Sequence, residues 1–203
     1  MSDLNKNTIF GYTLLIISIV LIFVLPYFIS QISNHDYYGL KVDKPAPKFD
    51  LSNTQGNTYS TDDLSGSYSY LMFGFTHCQT VCPLQVSNFL AIKDRVNDKP
   101  VRFVFITLDP KRDTLATLKQ YFEKNGDNFI ALRTKSFQES QELARKYHEY
   151  AYVNEKGKIN YQINHNGYIF LINPDGILEL IYTSIQLNHD EMINDLTKLM
   201  SIS

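Results

Sequence analysis

The chain has 203 residues, of which 44% are hydrophobic and 13% aromatic, a composition that excludes an intrinsically disordered protein. Its 19 Lys and Arg residues against 21 Asp and Glu residues give a net charge of −2. The sequence contains no stripe of basic residues, so nucleic-acid binding has no electrostatic support.

The N-terminal part of the chain is an uncharged apolar run over residues 9–29, 21 residues long. As an α-helix it spans about 31 Å, close to the roughly 30 Å hydrocarbon core of a bilayer. A cleaved signal peptide is the alternative, but its apolar core is usually about 7–15 residues long and is followed by an A-x-A-like cleavage site. We therefore expect a tail over residues 1–8 and a retained transmembrane helix over residues 9–32.

The rest of the chain divides into a predicted linker over residues 33–46 and one globular domain over residues 47–203. The linker is polar and aromatic, and Pro45 and Pro47 favour an extended backbone. The remaining length, about 160 residues, is enough for one hydrophobic core. If the N-terminus is cytoplasmic, the domain lies on the extracytoplasmic (periplasmic or equivalent) side of the membrane, where a thiol pair can be oxidised.

A short hairpin and two buried strands are predicted in the first half of the domain. A hairpin with Gly56 at its turn comes first. The run SYSYLMFGFT at residues 67–76 is typical of a strand buried on both faces. A helix with Pro83 in its first turn is predicted to follow to about Val96, and a second buried strand is predicted over residues 101–109.

The second half of the domain contains predicted helices and a final hairpin. One helix has Asp113 or Thr114 as its N-cap, and another covers residues 136–151. Two apolar strands joined by the turn Pro174–Gly176 form an antiparallel hairpin, and a terminal helix begins near Asn188. Strands that alternate with helices before a hairpin indicate an α/β domain with a mixed sheet.

Both cysteines, Cys78 and Cys82, lie in the segment FGFTHCQTVCPLQ between a predicted strand and a predicted helix. Unpaired N–H groups and the helix dipole at this junction favour a thiolate, and we expect Cys78 to be the more acidic thiol. A disulfide that closes so short a loop stabilises the fold by only about 2 kcal/mol. Buried free thiols, a redox pair and two metal ligands remain as explanations. The C-x-x-x-C spacing suits two sulfurs that converge on one ion, with histidine as the expected third ligand.

The chain has five histidines: His35, His77, His148, His165 and His189. His35 falls in the linker, His148 on a predicted helix surface, and His189 beside the cap of the last helix. His77 is adjacent to Cys78, but neighbouring residues at a strand end tend to point apart. His165 precedes a predicted strand and in a mixed sheet can face the cysteines, although a loop histidine without a ligand role fits the spacing as well.

Three motifs in order resemble the SCO/SenC/PrrC family: GFTHCQTVCP (74–83), TLDPKRDT (107–114) and NHNGYIFLINPDG (164–176). The resemblance extends from about Lys44 to the C-terminus. It implies a thioredoxin-like α/β fold, with a mixed sheet flanked by helices. It also implies a membrane-anchored copper chaperone that helps to build the binuclear copper site of cytochrome c oxidase. The implied partners are the copper-bearing oxidase subunit or another copper chaperone.

The resemblance further implies that one copper ion is bound by Cys78, Cys82 and His165, with a loop over residues 109–113 near the site. Two thiolates and one imidazole suit Cu(I), whereas Cu(II) takes a further weak ligand. Zinc prefers four ligands, and the sequence offers no evident fourth one. Turn and cap chemistry alone also explains the residues of that loop.

The chain departs from the family pattern at two places beside the expected site. The family usually reads C-P-D-x-C-P, whereas this chain has Gln79 and Thr80 between its cysteines, and Asn164 replaces the usual Asp before the histidine. A carboxylate favours a doubly charged ion more than a singly charged one, so both changes favour Cu(I) over Cu(II). They are also compatible with a shift towards thiol–disulfide chemistry.

The alternative function is a thiol–disulfide oxidoreductase that reduces the acceptor's cysteines before copper enters. Cys78 would then attack and Cys82 would resolve the mixed disulfide. Thioredoxin-type exchangers generally carry a proline in the loop that faces the cysteines. The segment KINYQINHN has no proline and contains His165, which favours metal binding. A peroxidase and a purely structural membrane-anchored protein are weaker alternatives.

Overall fold

The computed structural model describes residues 3–26, 37–96, 99–154, 161–184 and 186–202. The chain divides into an N-terminal unit, Met1–Asp36, and a larger unit, Tyr37–Ser203. The larger unit contains both cysteines and four of the five histidines, while His35 lies outside the described residues.

The N-terminal unit contains helix α1, Asp3–Ile19, which is followed by a π-helical turn, Val20–Val24. The sequence predicted a transmembrane helix over residues 9–32. Within the part of the chain that the structure describes, no helix reaches the length and apolar character needed to cross a bilayer. Residues 27–32 of that prediction lie outside the described residues.

The larger unit is built on strands joined by helices. The strands are β1 Leu40–Pro45, β2 Asp50–Asn53, β3 Thr58–Ser60, β4 Tyr68–Gly74, β5 Val101–Thr107, β6 Phe129–Arg133, β7 Ala151–Asn154, β8 Gln162–His165, β9 Ile169–Ile172 and β10 Ile177–Tyr182. The helices are α2 Val81–Lys93, α3 Leu115–Phe122, α4 Phe137–Lys146 and α5 His189–Ile202.

Eight strands form one mixed sheet in the order β1-β10-β9-β4-β5-β6-β2-β3, and β7 and β8 form a separate hairpin. The central strands β4, β5 and β6 are parallel, while β4 pairs with β9 in antiparallel fashion. The mixed sheet with helices confirms the predicted α/β class. It places the end of β4, where the cysteine segment begins, in the middle of the sheet.

Strand β4 is buried on both faces, as its apolar run predicted. Because side chains alternate along a strand, Phe73 joins the buried cluster that contains Leu143 of α4, and Met72 joins the cluster that contains Phe89 of α2. Both cysteines belong to the cluster on the α4 side. The two cysteines of the candidate site therefore pack against the apolar core.

The structure differs from the predicted elements in three places. Residues 40–45 of the predicted linker form β1, which pairs with β10; Pro45 is tolerated there because it ends an edge strand. Strands β6, β7 and β8, which are 5, 4 and 4 residues long, were not predicted. The helix predicted over residues 136–151 ends at Lys146, since His148 adopts a left-handed φ of 60°.

Candidate metal centre

The candidate centre forms where β4 ends and α2 begins. Gly74, the last residue of β4, is required by close packing, because a Cβ atom there would lie 2.8 Å from Cys82 Sγ and 2.8 Å from Phe105 Cε2. The backbone N–H of Phe75 donates a hydrogen bond to Cys82 Sγ at 3.4 Å. The strand end thus holds the second cysteine directly against the sheet.

The two cysteines are joined by the geometry of the helix start. Helix α2 begins at Val81, and the N–H of Cys82, one of the first N–H groups that lack a partner within a helix, donates to Cys78 Sγ at 3.4 Å. Both thiols are free, and the residues are buried, with Cys78 8% and Cys82 2% exposed. The C-x-x-x-C spacing therefore brings both sulfurs to one side of the helix start.

The two thiols differ in acidity because they share a hydrogen bond. A hydrogen bond from the Cys82 thiol lowers the pKa of Cys78, and hydrogen bonds from backbone N–H groups act in the same direction against burial. The same Cys82–Cys78 bond, together with burial, raises the pKa of Cys82. The lowered pKa of Cys78 agrees with the sequence prediction, but its main cause is the partner thiol rather than the helix dipole.

His165 lies at the end of β8 and completes the cluster. Its Nε2 atom is 3.3 Å from Cys82 Sγ, and the ligand atoms of Cys78, Cys82 and His165 all lie within 4.8 Å of one another. The ring packs edge-on against Phe75, with centroids 6.0 Å apart, and its side chain is only 2% exposed. The structure thus brings the three predicted ligands together across β4, α2 and β8.

The other described histidines lie outside this cluster. The side chain of His77 is 53% exposed, and its Nδ1 atom lies 3.1 Å from Thr76 Oγ1. His148 is exposed, as predicted, but it lies beyond the end of α4 rather than on a helix. His189 was expected to be solvated, but its Nε2 atom lies 2.7 Å from Asn88 Oδ1 in a partly buried contact.

The loop over residues 109–113 is tied to the cysteine segment through Asp113. This fully buried carboxylate accepts hydrogen bonds from the backbone N–H of Thr76 at 3.1 Å, from the Thr76 hydroxyl, and from the Thr107 hydroxyl at 2.6 Å. Burial raises its pKa, and these hydrogen bonds oppose the shift. Of the two predicted N-caps, Thr114 caps α3 by accepting from the N–H of Thr117. Asp113 is therefore free to hold the turn two residues before Cys78.

Arg112 connects the same loop to the segment that leads into β8. Its guanidinium donates to the Asp109 carboxylate and, through Nη1, to the carbonyl oxygen of Tyr161 at 3.0 Å. The group also stacks on the Tyr161 ring at 3.8 Å and lies 5.7 Å from the Phe75 ring centroid. Arg112 therefore helps to fix the approach of the histidine strand to the cysteine segment.

Two further residues support the site and were not found from the sequence. Gln85 is fully buried on α2 and donates from Nε2 to the carbonyl oxygen of Gly167 at 2.6 Å, which ties the loop after His165 to the cysteine helix. Its position three residues after Cys82, on the same helix face, was a usable signal.

The second is Glu149, which follows α4 and is fully buried. Its carboxylate accepts the backbone N–H groups of Asn166, Gly167 and Tyr168, and Oε1 lies 4.0 Å from Nδ1 of His165. Burial raises its pKa, and the N–H groups oppose the shift. No local pattern in the sequence around Glu149 indicates this position.

Comparison with known proteins matches the chain to one family. The family model described as SCO1/SenC matches residues 40–201. The SCO2-like protein of Rickettsia felis is 34% identical over 132 residues, which cover 63% of this chain and 64% of that protein. The chain therefore spans less than two thirds of the length of this curated relative.

Two solved structures are similar in fold. The copper-bound structure of Arabidopsis thaliana ScoI superimposes with a TM-score of 0.70 at 26% identity, covering 78% of this chain and 99% of that one. The copper-bound structure of Bradyrhizobium japonicum ScoI gives 0.63 at 27% identity, covering 76% and 98%. Both similarities support the thioredoxin-like form of the mixed α/β fold.

Proposed function

The chain belongs to the SCO1/SenC family, and on that basis we propose that it is a copper chaperone that binds one copper ion through Cys78, Cys82 and His165. The observation that carries the proposal is the cluster of the three ligand atoms within 4.8 Å. Copper-bound ScoI structures of two relatives with 26% and 27% identity support copper as the metal.

The donor set favours Cu(I). Two soft thiolates and one imidazole suit a three-coordinate Cu(I) ion. Zinc sites usually contain four ligands, and among the described residues no further His, Cys, Asp or Glu joins the three. The lowered pKa of Cys78 supports binding at neutral pH, because a thiolate rather than a thiol is the metal ligand.

The proposed acceptor is the copper-bearing subunit of cytochrome c oxidase, where the binuclear copper site is built, and another copper chaperone is the proposed alternative acceptor. Delivery proceeds by ligand exchange: each thiolate of Cys78 and Cys82 leaves the copper ion as a sulfur of the acceptor binds. The site supports such an exchange because Cys78 lies in the loop between β4 and α2 and is 8% exposed, while Cys82 lies in α2 and is 2% exposed.

Residues 9–32 are proposed to anchor the protein to a membrane, with the domain on the extracytoplasmic side. The support is the uncharged run over residues 9–29. Carbonate extraction of membranes from cells that express the full chain tests this. Retention in the membrane pellet, lost when Ile16→Lys and Val20→Lys are combined, is expected; release of the parent chain by carbonate contradicts the anchor.

Anaerobic titration of the reduced full chain in detergent with Cu(I), in competition with a chelator of known affinity, tests the metal site. One tightly bound Cu(I) is expected, with two sulfur ligands and one nitrogen ligand by X-ray absorption. His165→Ala should weaken binding by about 100-fold, about 2.7 kcal/mol. His189→Ala, which alters a partly buried histidine outside the cluster, is the matched control. Equal affinity of the parent and His165→Ala would overturn the proposed site.

A thiol–disulfide reductase is the second candidate, and the lowered pKa of Cys78 beside a second thiol favours it. In this reaction the Cys78 thiolate attacks the acceptor's disulfide, one acceptor thiolate leaves, and a mixed disulfide forms. Cys82 then attacks Cys78 Sγ and releases the second acceptor thiol. The acceptor gains two electrons and this chain is left with a Cys78–Cys82 disulfide. Rapid reduction of a disulfide peptide, combined with the absence of tight copper binding, would favour this candidate.

A further inference from the structure

Glu149 occupies a position at which a carboxylate is unfavourable on two separate grounds. It is fully buried, and burying a carboxylate requires strong compensation. It follows the C-terminus of α4, where the helix dipole disfavours negative charge. The preceding residue, His148, is a non-glycine residue with a φ of 60°.

The backbone around His148 has the hydrogen bonds of a Schellman motif. The N–H of Glu149 donates to the carbonyl of Ala144 at 2.9 Å, and the N–H of His148 donates to the carbonyl of Arg145 at 3.0 Å. The residue at the position of Glu149 in this motif is frequently apolar and packs back onto its helix. Here the motif instead directs an acidic side chain to the loop that follows His165.

Most of the hydrogen-bond acceptor positions of the Glu149 carboxylate are used by that loop. It accepts three backbone N–H groups, from Asn166, Gly167 and Tyr168. An ionised carboxylate offers about four acceptor positions, so about one is left. Oε1, which accepts from Asn166 and Gly167, lies 4.0 Å from Nδ1 of His165, and the position that is left is on Oε2, which accepts only from Tyr168.

His165 has a buried ring nitrogen from which the Glu149 carboxylate can accept a hydrogen bond. Its Nδ1 atom is buried and has no hydrogen-bond partner among the described residues, while its Nε2 atom lies 3.3 Å from Cys82 Sγ. A neutral imidazole carries its proton on one nitrogen and its lone pair on the other. If the lone pair is to face the sulfurs, the proton has to be on Nδ1, where the Glu149 carboxylate lies.

We propose that Glu149 is a positioning residue, whose carboxylate accepts the Nδ1–H of His165 and so directs the Nε2 lone pair towards the cysteine pair. The present distance of 4.0 Å exceeds a hydrogen bond, and a ring shift of about 1 Å closes it; functional hydrogen bonds commonly tighten when a site is loaded. The chain has Asn164 where its family usually has Asp, and Glu149 supplies a carboxylate to the histidine from another element. This inference rests on the proposed copper site for its purpose but not for its test.

The first measurement is the tautomer of His165 in the reduced, metal-free full chain, by nitrogen-15 NMR with labelled histidine in detergent. The expected spectrum of the parent has the proton on Nδ1. In Glu149→Gln, which retains the shape of the side chain, the fraction of this tautomer should fall at least about twofold. A parent spectrum with the proton on Nε2 would overturn the proposal, whether or not the variant folds.

Asp195→Asn is the matched control. Asp195, on α5, is another buried carboxylate and is 4% exposed. It accepts two backbone N–H groups, from Tyr38 and Gly39. Asp195→Asn should lower the free energy of unfolding, because it weakens these two hydrogen bonds to the backbone, yet leave the His165 tautomer unchanged. If both variants shift the tautomer equally, Glu149 acts only on the general stability of the fold, and the proposal fails.

Cu(I) titration then measures the consequence of the contact. Glu149→Gln should weaken Cu(I) binding about 10- to 100-fold, the usual effect of removing a partner of a ligating histidine, whereas Asp195→Asn should stay within about twofold of the parent. Unchanged Cu(I) affinity in a folded Glu149→Gln would contradict the positioning role. If the parent binds no copper tightly, the proposed function fails, while the tautomer result still decides the contact between Glu149 and His165.

Discussion

Gly167 approaches Val81 so closely that a Cβ atom built on Gly167 would lie 2.2 Å from Val81 Cγ1. Gly167 is in the loop two residues after His165, and Val81 is the first residue of the cysteine helix. Gly167 also has a φ of 74°, which disfavours any residue other than glycine. The loop that follows the histidine is therefore held against the cysteine helix by a contact that only glycine permits.

Gly167→Ala should lower the free energy of unfolding by about 2–4 kcal/mol, because overpacking adds to the strain of the left-handed backbone. Urea unfolding of the metal-free chain measures this. Gly176→Ala is the control, since Gly176 has a φ of 78° but nothing among the described residues lies within 4 Å of its Cβ position; about 1 kcal/mol is expected there. Val81→Ala should recover part of the loss in Gly167→Ala, and equal losses in the two glycine variants would contradict the contact.

The two cysteines should differ in reactivity in the reduced, metal-free chain. The pKa of Cys78 is lowered and that of Cys82 is raised, so at pH 6 only Cys78 is a thiolate. Iodoacetamide should modify Cys78 at least about tenfold faster than Cys82 at this pH, as read by peptide mass spectrometry.

The dependence of the alkylation rate on pH shows whether the pKa of Cys78 is lowered. Because Cys78 is already ionised, its alkylation rate should change by less than about threefold between pH 6 and pH 8, whereas an unperturbed thiol gains about 100-fold over two pH units below its pKa. Cys82→Ala removes the hydrogen bond that is the main cause of the low pKa, so it should restore the steep dependence. A steep profile in the parent would show that the Cys78 thiol is not acidic.

Arg112→Lys should destabilise the chain although it keeps the charge. A lysine lacks the planar fork with which Arg112 donates to Asp109 and to the Tyr161 carbonyl from two different nitrogens, and it cannot stack on the Tyr161 ring as a guanidinium does. A loss of about 2 kcal/mol in the free energy of unfolding is expected from urea denaturation. Arg145→Lys, on the exposed surface of α4, should change it by less than about 0.5 kcal/mol. Similar small losses in both variants would mean that Arg112 does not connect the loop to the histidine segment.

Asn164→Asp restores the carboxylate that the family usually has beside the histidine. A negative charge there stabilises Cu(II) more than Cu(I), because the interaction scales with the charge of the ion. We expect Cu(II) affinity to rise about tenfold and Cu(I) affinity to change less than about threefold. Competition titrations of each oxidation state on the parent and the variant measure this, with electron paramagnetic resonance to report the Cu(II) ligands. A larger gain for Cu(I) would refute the charge argument.

Local patterns were sufficient for the elements that hold the cysteines. The apolar run over residues 67–76 predicted β4, and Pro83 marked the first turn of α2, so both sulfurs were correctly expected at a junction between strand and helix. The turn Pro174–Gly176 likewise predicted the β9–β10 hairpin. These predictions hold because backbone preferences and side-chain alternation act over a few neighbouring residues.

Long-range pairing decided the rest. His165 and Cys82 are separated by 83 positions, and their 3.3 Å contact depends on how β8 lies beside the end of β4. The residues alone left His165 as a ligand or a simple loop histidine, and only the family resemblance favoured the first. The position of Glu149 behind the histidine ring follows from the turn at His148 and from three backbone N–H groups of a distant loop. Such contacts form only when the whole chain packs, since burial and hydrogen bonding between distant segments are properties of the tertiary structure.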